Sequence, residues 1–374
     1  MSKRLMELVE NLPAANVVLL GDLMLDRYLY GKAERLSPEA PVPVLHFERQ
    51  EERLGGAANV VADLGVLGAK VRVVSVLGTD STGEQILRML AACGADTQTV
   101  VQSPQRPSTC KVRFVGLAQD RHAQQLLRVD YEEPGPITDA EMALVLGQLE
   151  QALDGADAMC VEDYNKGLLR ADLCQAAIAM ARQREVPVLI DPANIADYSK
   201  YARATVITPN RHETKQATGL PTGEPHEFKA AAERLVQMLD LEAAVLTLDK
   251  EGAYLATRDG QRRWLKTRQR TVYEVTGAGD MVLAMLTMSR CGGASWAEAV
   301  SLANVAGGLE VERFGAVPIT RQEIIQELLS EMHEHMGKER TLPELLRRNG
   351  VFAGYYRTQF LTEAGPSPVI PLSA

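Results

Sequence analysis

The sequence predicts an α/β protein whose central sheet is mainly parallel. Between residues 16 and 248, short apolar runs alternate with amphipathic segments of helical period. The runs are too short for helices and rich in Val, Ile and Leu, as is typical of parallel strands buried on both faces. The chain has 374 residues, of which 46% are hydrophobic, so it can bury a large core.

The elements follow one another as strand and helix in turn. The predicted strands cover residues 16–20, 71–76, 158–161, 186–190, 205–207 and 244–248. The predicted helices cover residues 83–92, 138–153, 171–184 and 226–239. Because strands that alternate with helices pair in parallel, this order indicates a sheet with helices on both faces.

Two segments interrupt the alternation. Residues 28–48 are rich in proline, and polar and apolar residues roughly alternate over residues 108–130. Such patterns are typical of extended chain with one exposed face. We predict that the two segments form a small β-sheet that stands off the main sheet as a lid.

The composition excludes several classes of protein. The formal net charge is −9 and the pI is about 5.4, which argues against nucleic acid or an anionic membrane as partner. No run reaches the ~18 apolar residues of a membrane span, and the N-terminus does not resemble a signal peptide. Five scattered cysteines without C-x-x-C spacing fit free thiols in a reducing compartment. We therefore expect a cytoplasmic protein.

A glycine-rich motif late in the chain suggests an anion site. Gly277, Ala278, Gly279 and Asp280 precede an apolar, helix-like run. The first turn of a helix presents unpaired N–H groups to an anion, and a carboxylate beside them can take a proton from an attacking hydroxyl. The same residues also fit a strand-to-helix turn in which Asp280 is only a cap.

Polar and small residues near the N-terminus form a second candidate site. Gly55, Gly56 and Asn59 begin an apolar helix, where a polar ligand could lie against the backbone. Asp22 and Asp26 follow the first strand, at the sheet edge where α/β proteins bind ligands. Close helix packing and turn capping are the structural alternatives for these residues.

Three motifs in order resemble those of ribokinase-like, PfkB-type carbohydrate kinases. They are GGAAN at 55–59, TPNRHE at 208–213 and VTGAGD at 275–280, and the similarity covers about residues 13–331. This resemblance implies a three-layer ribokinase-like fold with a β-sheet lid, and a kinase domain over residues 1–336. It also implies ATP and Mg²⁺ as cofactors and a homodimer formed through the lid. A monovalent cation is possible as a further cofactor.

The resemblance assigns roles residue by residue. Asp280 would be the catalytic base, and the N–H groups of Gly277, Ala278 and Gly279 would stabilise the transferring phosphoryl group. The residues implied to bind the sugar are Asp22, Asp26, Gly55, Gly56 and Asn59. Asn210 and Glu213 would organise Mg²⁺ through water. The residues implied to bind ATP are Asn210, Glu213, Thr247, Gly252, Thr276, Gly277, Gly279 and Asn304.

Several segments are also similar to bacterial heptose 7-phosphate kinases. They are residues 21–28, 36–44, 124–133, 162–167 and 190–192. This resemblance implies a phosphorylated heptose as substrate and Asp191 as a further substrate-binding residue. Six cations lie in these segments or in the predicted lid, and we expect two or three of them to bind the substrate phosphate. They are Arg27, Arg35, Lys111, Arg113, Arg128 and Lys166, with Arg113, Arg128 and Lys166 as the main candidates.

The expected reaction is ATP-dependent phosphorylation of the anomeric hydroxyl of heptose 7-phosphate. A kinase for another sugar or a nucleoside, and a non-catalytic sugar- or nucleotide-binding protein, are the alternatives. Glu274, Met281 and Asp249 depart from the family pattern beside the active loop and the nucleotide. Residues 337–374 resemble a linker without a nucleotidyltransferase motif, so we expect the kinase step only.

Overall fold

The alternating runs of the sequence form one large, mainly parallel sheet. The computed structural model describes residues 2–118, 121–133, 135–268, 270, 277–313, 315 and 317–337. The strands of this sheet are β1 (Asn16–Gly21), β4 (Lys70–Gly78), β5 (Val100–Ser103), β8 (Ala158–Glu162), β9 (Val188–Asp191), β10 (Val206–Ile207), β11 (Ala243–Thr247), β12 (Ala253–Thr257) and β13 (Arg262–Leu265). Across the sheet their order is β13-β12-β11-β10-β9-β8-β1-β4-β5.

Helices on both sides cover this sheet. They are α2 (Ala57–Val66), α3 (Ser81–Ala92), α4 (Asp139–Ala152), α5 (Ala171–Gln183), α6 (Arg211–Thr218), α7 (Pro225–Met238), α8 (Ala278–Cys291) and α9 (Trp296–Glu310). Apolar side chains of the strands and helices are fully buried between the layers; examples are Leu20, Ile190 and Phe228. Burial of this kind supplies most of the free energy of folding.

The predicted α/β class and element order are confirmed. Each predicted strand and helix is present, with ends that differ by a few residues. In the large sheet, neighbouring strands pair in parallel along the row β5-β4-β1-β8-β9-β10-β11. At one end of this row, β12 and β13 add an antiparallel edge that was not predicted from the sequence. No α-helix lies between β11 and β12, only a single 3-10 turn at Asp249–Glu251, and β13 begins with two arginines rather than an apolar run.

A second, smaller sheet contains the two segments that interrupt the alternation. Its strands are β2 (Leu23–Leu36), β3 (Pro43–Gly56), β6 (Thr109–Ala118) and β7 (Arg121–Tyr131), in the order β3-β2-β6-β7. The central pair, β2 and β6, is parallel, and the outer pairs are antiparallel. The predicted small sheet is therefore present. Asp26 lies within β2 rather than in a turn, because β2 begins almost directly after β1.

The described residues of the termini, 2–11 and 321–337, form a separate compact unit. In it, helix α1 (Ser2–Glu10) packs against helix α10 (Arg321–Gly337). Both sheets belong to the other unit, Leu12–Thr320. The expectation for residues 337–374 falls, after Gly337, outside the described residues. No helix in the described part of the chain combines the length and apolarity that a membrane crossing requires.

Candidate active site

Three carboxyl groups meet at the carboxyl end of the central strands. Glu162 ends β8 and pairs in register with Asp191 at the end of β9. Asp280, in the first turn of α8, completes the group, and one carboxylate oxygen from each residue lies within 4.8 Å of the others. This is the edge at which open α/β sheets bind ligands.

Asp280 is buried and accepts two side-chain hydrogen bonds. Its Oδ2 accepts from Asn59 Nδ2 at 2.9 Å, and its Oδ1 accepts from the Tyr164 hydroxyl at 3.1 Å. Burial raises the pKa of Asp280 to about 7, although the two donors lower it in part. A carboxyl group with a pKa near neutrality suits a general base. The side chain therefore points to other elements and does not cap its own helix.

The glycines of the late motif shape the start of α8. Gly277 has a φ of 94° and caps the helix by its backbone alone. A Cβ on Gly279 would lie 3.1 Å from Asp191 Oδ2, so this glycine lets the helix terminus come close to the acidic group. Thr276 and Glu274, named from the sequence, lie outside the described residues.

The early glycines hold the small sheet against the site. A Cβ on Gly55 would lie 2.7 Å from Asp26 Oδ2, and one on Gly56 would lie 2.7 Å from the carbonyl oxygen of Asp22. Gly56 also has a φ of 55°, which side-chain-bearing residues rarely adopt. Asn59, on the first turn of α2, directs its amide group at Asp280. The structure therefore brings the early and late motifs together.

Asp26 and Arg113 form a buried ion pair on the inner face of the small sheet. Arg113 Nη1 lies 2.6 Å from Asp26 Oδ1, and their side chains are only 8% and 7% exposed. Lys111, beside Asp26 in the sheet register, lies over the Tyr164 ring at 5.1 Å. Lys111 has no ion pair within the described residues, and burial lowers the pKa of its ammonium group.

Of the other predicted cations, Arg35 is exposed and Arg27 lies 2.8 Å from Glu52. Lys166 Nζ lies 2.7 Å from Glu132, and the exposed Arg128 pairs with Asp130 at 2.9 Å. The backbone N–H of Lys166 donates to Asp22 Oδ2 at 3.1 Å.

Asp22 is a buried carboxyl group beside this part of the site. Burial and the charge of Asp163 raise its pKa to about 6. Its Oδ2 atom also accepts a hydrogen bond from the backbone N–H of Tyr164, at 3.1 Å. Asp22 therefore orders the segment that carries Tyr164 and Lys166.

The residues assigned to ATP lie along the other half of the sheet. Asn210 and Glu213 form a reciprocal capping box at the start of α6. Asn210 also forms an isolated parallel β-bridge with Thr247, at the end of β11. Gly252 has a φ of 92° at the turn into β12, and Asn304 Nδ2 donates to the Leu265 carbonyl at 2.8 Å. Of these residues, Glu213 lies near the three carboxyl groups, because its charge adds to burial in raising the pKa of Asp191.

Some residues of the site had no role in the sequence analysis. Glu162 and Tyr164 lie in a segment noted only for its resemblance, and their contacts with Asp280 could not be predicted from it. Asp63 on α2 and Glu310 on α9 are buried acids near Asp280, and burial together with the charge of Asp280 raises the pKa of each. Their only sequence signal is an acidic residue within an apolar helix, which is a weak one.

Comparison with known proteins identifies the family. The model of the pfkB family of carbohydrate kinases matches residues 14–322. The chain belongs to this family. Solved structures have the same fold. A ribokinase of Arabidopsis thaliana, complexed with ribose and ATP, superposes with a TM-score of 0.66 at 18% identity, and the match covers 84% of this chain and 99% of that one. Phosphofructokinase-2 of Escherichia coli gives a TM-score of 0.70 at 16% identity, with 84% and 99% covered.

Two curated relatives of this pfkB protein are closer in sequence. The bifunctional protein HldE of Geobacter sulfurreducens is 42% identical over 315 residues, which is 84% of this chain and 63% of that protein. The D-beta-D-heptose 7-phosphate kinase of Bordetella bronchiseptica is 42% identical over 320 residues, 85% of this chain and 97% of that protein. The chain therefore spans less than two thirds of the bifunctional relative.

Proposed function

We propose that the chain transfers the γ-phosphoryl group of ATP to the anomeric C1 hydroxyl of D-glycero-D-manno-heptose 7-phosphate. The product would be heptose 1,7-bisphosphate, a precursor in ADP-heptose synthesis for the lipopolysaccharide core. The observation that carries the kinase reaction is the buried Asp280 at the start of α8. The choice of sugar depends on the Bordetella bronchiseptica relative, which this chain covers almost completely.

In this reaction Asp280 accepts the proton of the attacking hydroxyl. Asn59 and Tyr164 each donate to one of its oxygens and so orient the carboxylate toward the sugar. The N–H groups at the start of α8 face the transferring phosphoryl group, whose charge increases in the transition state. Phosphoryl transfer depends mainly on such positioning and charge stabilisation.

The small sheet would close over the sugar. Asp26 lies on its inner face and can accept hydrogen bonds from sugar hydroxyls, while Arg113 neutralises its charge. Lys111 is a cation beside them without a carboxylate partner in the described chain, so it is our first candidate to bind a phosphate of the substrate. Exclusion of water by this sheet would suppress hydrolysis of ATP.

The carboxyl groups of Glu162, Asp191 and Asp280 fit the magnesium ion that such a kinase requires. Carboxylate oxygens are hard ligands, and Glu162 Oε2 is buried without a hydrogen-bond partner in the described part of the chain. We propose that Glu162 and Asp191 hold Mg²⁺ near Asp280. When bound, the ion would neutralise charge on the phosphates of ATP. Glu213 and Asn210, the residues named from the sequence, satisfy each other in the capping box.

Binding of Mn²⁺, which substitutes for Mg²⁺ and is visible by electron paramagnetic resonance, tests this assignment without turnover. Glu162→Gln should weaken Mn²⁺ binding in the presence of ATP, whereas Glu213→Gln should change it less. The opposite order would return the metal to the residues named from the sequence. Thermal unfolding of both variants shows whether the fold is retained.

A substrate panel tests the reaction itself. Purified protein is given ATP and Mg²⁺ with sugars, nucleosides and sugar phosphates, including heptose 7-phosphate, and the product is identified by NMR. We expect phosphorylation at C1 of heptose 7-phosphate and much slower reaction with unphosphorylated sugars. A preference for an unphosphorylated sugar or a nucleoside would keep the kinase and reject the heptose.

We also propose a homodimer formed through the outer face of the small sheet. Phe47, Leu127 and Tyr131 share that face by strand register and are 56%, 56% and 60% exposed. An apolar face of this kind is typical of an interaction surface.

All five cysteines are free thiols, which supports a reducing compartment such as the cytoplasm.

A further inference from the structure

A pair of buried carboxyl groups lies behind Asp280, on the side of α2 and α9. Asp63 is 0% exposed and Glu310 is 1% exposed. Asp63 Oδ1 and both carboxylate oxygens of Glu310 have no hydrogen-bond partner among the described residues. Acidic side chains are almost never fully buried unless they are paired, so these two groups require an explanation.

Asn59 connects this pair to the base. Its Nδ2 donates to Asp280 Oδ2 at 2.9 Å and also to Asp63 Oδ2 at 3.4 Å. A primary amide has two N–H donors on one side and a carbonyl acceptor on the other. If the amide turned over, its carbonyl oxygen would face two carboxyl groups. Asp63 therefore favours the orientation of Asn59 in which a donor points at Asp280.

The charges around the pair favour a bound proton. Burial and the charges of Glu310 and Asp280 raise the pKa of Asp63 well above its usual range. Burial and the charge of Asp280 together raise the pKa of Glu310 to about 8, although the nearby Asn59 amide and the charge of Arg313 lower it in part. Two ionised carboxylates without partners would be costly in this interior. A proton bound by either carboxyl group removes one of the two charges.

We propose that one of the two buried carboxyl groups, Asp63 or Glu310, is protonated in the ligand-free protein, and that Asp63 acts through Asn59 as a positioning residue for Asp280. The inference depends on the proposed function only in taking Asp280 as the base. The pair itself would exist in the ligand-free protein. Its presence and its effect on catalysis can therefore be measured separately.

Infrared spectra of the ligand-free protein test the bound proton. Wild-type protein should show the carbonyl band of a protonated carboxyl group that is lost in both Asp63→Asn and Glu310→Gln. The same band should remain in Asp280→Asn and in Ser289→Ala, a control at a buried hydroxyl that also lacks a partner in the described residues. If no band is lost in the Asp63 and Glu310 variants, the bound proton is ruled out.

Kinetics test the positioning role. Asp63→Leu removes the acceptor for Asn59, and we expect kcat to fall about tenfold to a hundredfold, because small displacements of a reacting group can cost up to ~10² in rate. In Asp63→Leu, KM for ATP should stay within about twofold and the pH profile of kcat should shift. Asp63→Asn keeps an oxygen acceptor for Asn59 and should therefore recover part of the rate. Kinetics of Asp63→Leu and Asp63→Asn that match those of Ser289→Ala would overturn the proposal.

The two proposals fail in different ways. Near-normal turnover by Asp280→Asn rejects the base and with it the proposed function, whatever Asp63 does. Loss of turnover in Asp280→Asn together with normal kinetics in the folded Asp63 variants rejects only the positioning role. If Asp63→Leu does not fold, Asp63→Asn and the infrared band decide the matter.

Discussion

At the scale of single residues, Asp280 shows how burial and hydrogen bonding together set the properties of a base. Burial alone would make the carboxyl group too weak an acid to be ionised, and the donors from Asn59 and Tyr164 oppose this effect. The result is a group that can lose its proton near neutral pH and accept another from a hydroxyl. The sequence motif named this residue, whereas its donors became known from the structure.

Replacing Asp280 by Asn should lower kcat by ~10²–10⁴, the usual contribution of a general base. Asn has the same size but cannot take the proton. Affinity for ATP should hold or improve, because a negative charge near the phosphates is removed. Steady-state kinetics and direct ATP binding by the folded variant check both expectations. A kcat close to that of the wild type would contradict the kinase mechanism.

The pH dependence of kcat/KM should report the same group. The pKa of Asp280 is raised from 3.8 to about 7, so the group is protonated and inactive below neutrality. We expect kcat/KM to fall about tenfold for each pH unit below that value and to level off above it. The measurement uses initial rates between weakly acidic and weakly alkaline pH. The residual rate of Asp280→Asn should lack this dependence.

Replacement of Lys111 should weaken binding of the sugar phosphate more than replacement of Lys166. Lys111→Met should weaken binding of a phosphorylated substrate far more than that of ATP, because it removes a cation without an ion pair in the described structure. Lys166→Met should also weaken it, but less, since Lys166 is shared with Glu132. Arg88→Met, which changes an exposed cation on α3, is the control for surface charge. Equal losses for both ligands would indicate a nucleotide or folding role.

At the scale of elements, most of the fold was predictable because its signals are local. The period of apolar residues distinguishes strands from helices, and the segment from β8 to β11 shows this alternation clearly. The early start of β2 was not predictable, since Gly21 and Asp22 are typical of a loop. The chain passes from the large sheet into the small one within two residues, which places Asp26 inside a strand.

The junction of β3 and α2 depends on a glycine. Gly56→Ala should destabilise the protein by about 1–3 kcal/mol, because the backbone is left-handed there and a Cβ would meet the Asp22 carbonyl. Gly147→Ala, in the middle of α4 where a Cβ meets no atom within 4 Å, should instead stabilise it by up to ~1 kcal/mol. Denaturant unfolding of the two variants measures the contrast. Equal effects would contradict this account of Gly56.

At the scale of the whole molecule, the outer face of the small sheet should control assembly. Phe47→Glu combined with Leu127→Glu should convert a dimer into a monomer, because charges would be placed on an apolar interface. Met238→Glu, which changes another exposed apolar side chain, should not. Light scattering during size-exclusion chromatography distinguishes the two states. A wild-type protein that is monomeric at all concentrations would contradict the proposed dimer.

The sequence by itself determined the α/β class, the order of the elements, the motifs and, through their resemblance, the family. These properties follow from residue period, from glycine at tight turns and from short runs, all of which lie within a few neighbouring residues. The same local reading could name Asp280, Asn59 and Asp26 as candidates.

The tertiary structure decided which of these residues meet. Asn59 and Asp280 are 221 positions apart in the chain, and Arg113 and Asp26 are 87 apart, yet each pair is in hydrogen-bond contact. No local pattern specifies such contacts, because they depend on strand order, on register and on which helix covers which strand. For the same reason only the structure brought together Glu162, Asp191 and Asp280, and placed Asp63 and Glu310 behind the base. Burial at those positions sets the pKa values, and therefore the chemistry, of the site.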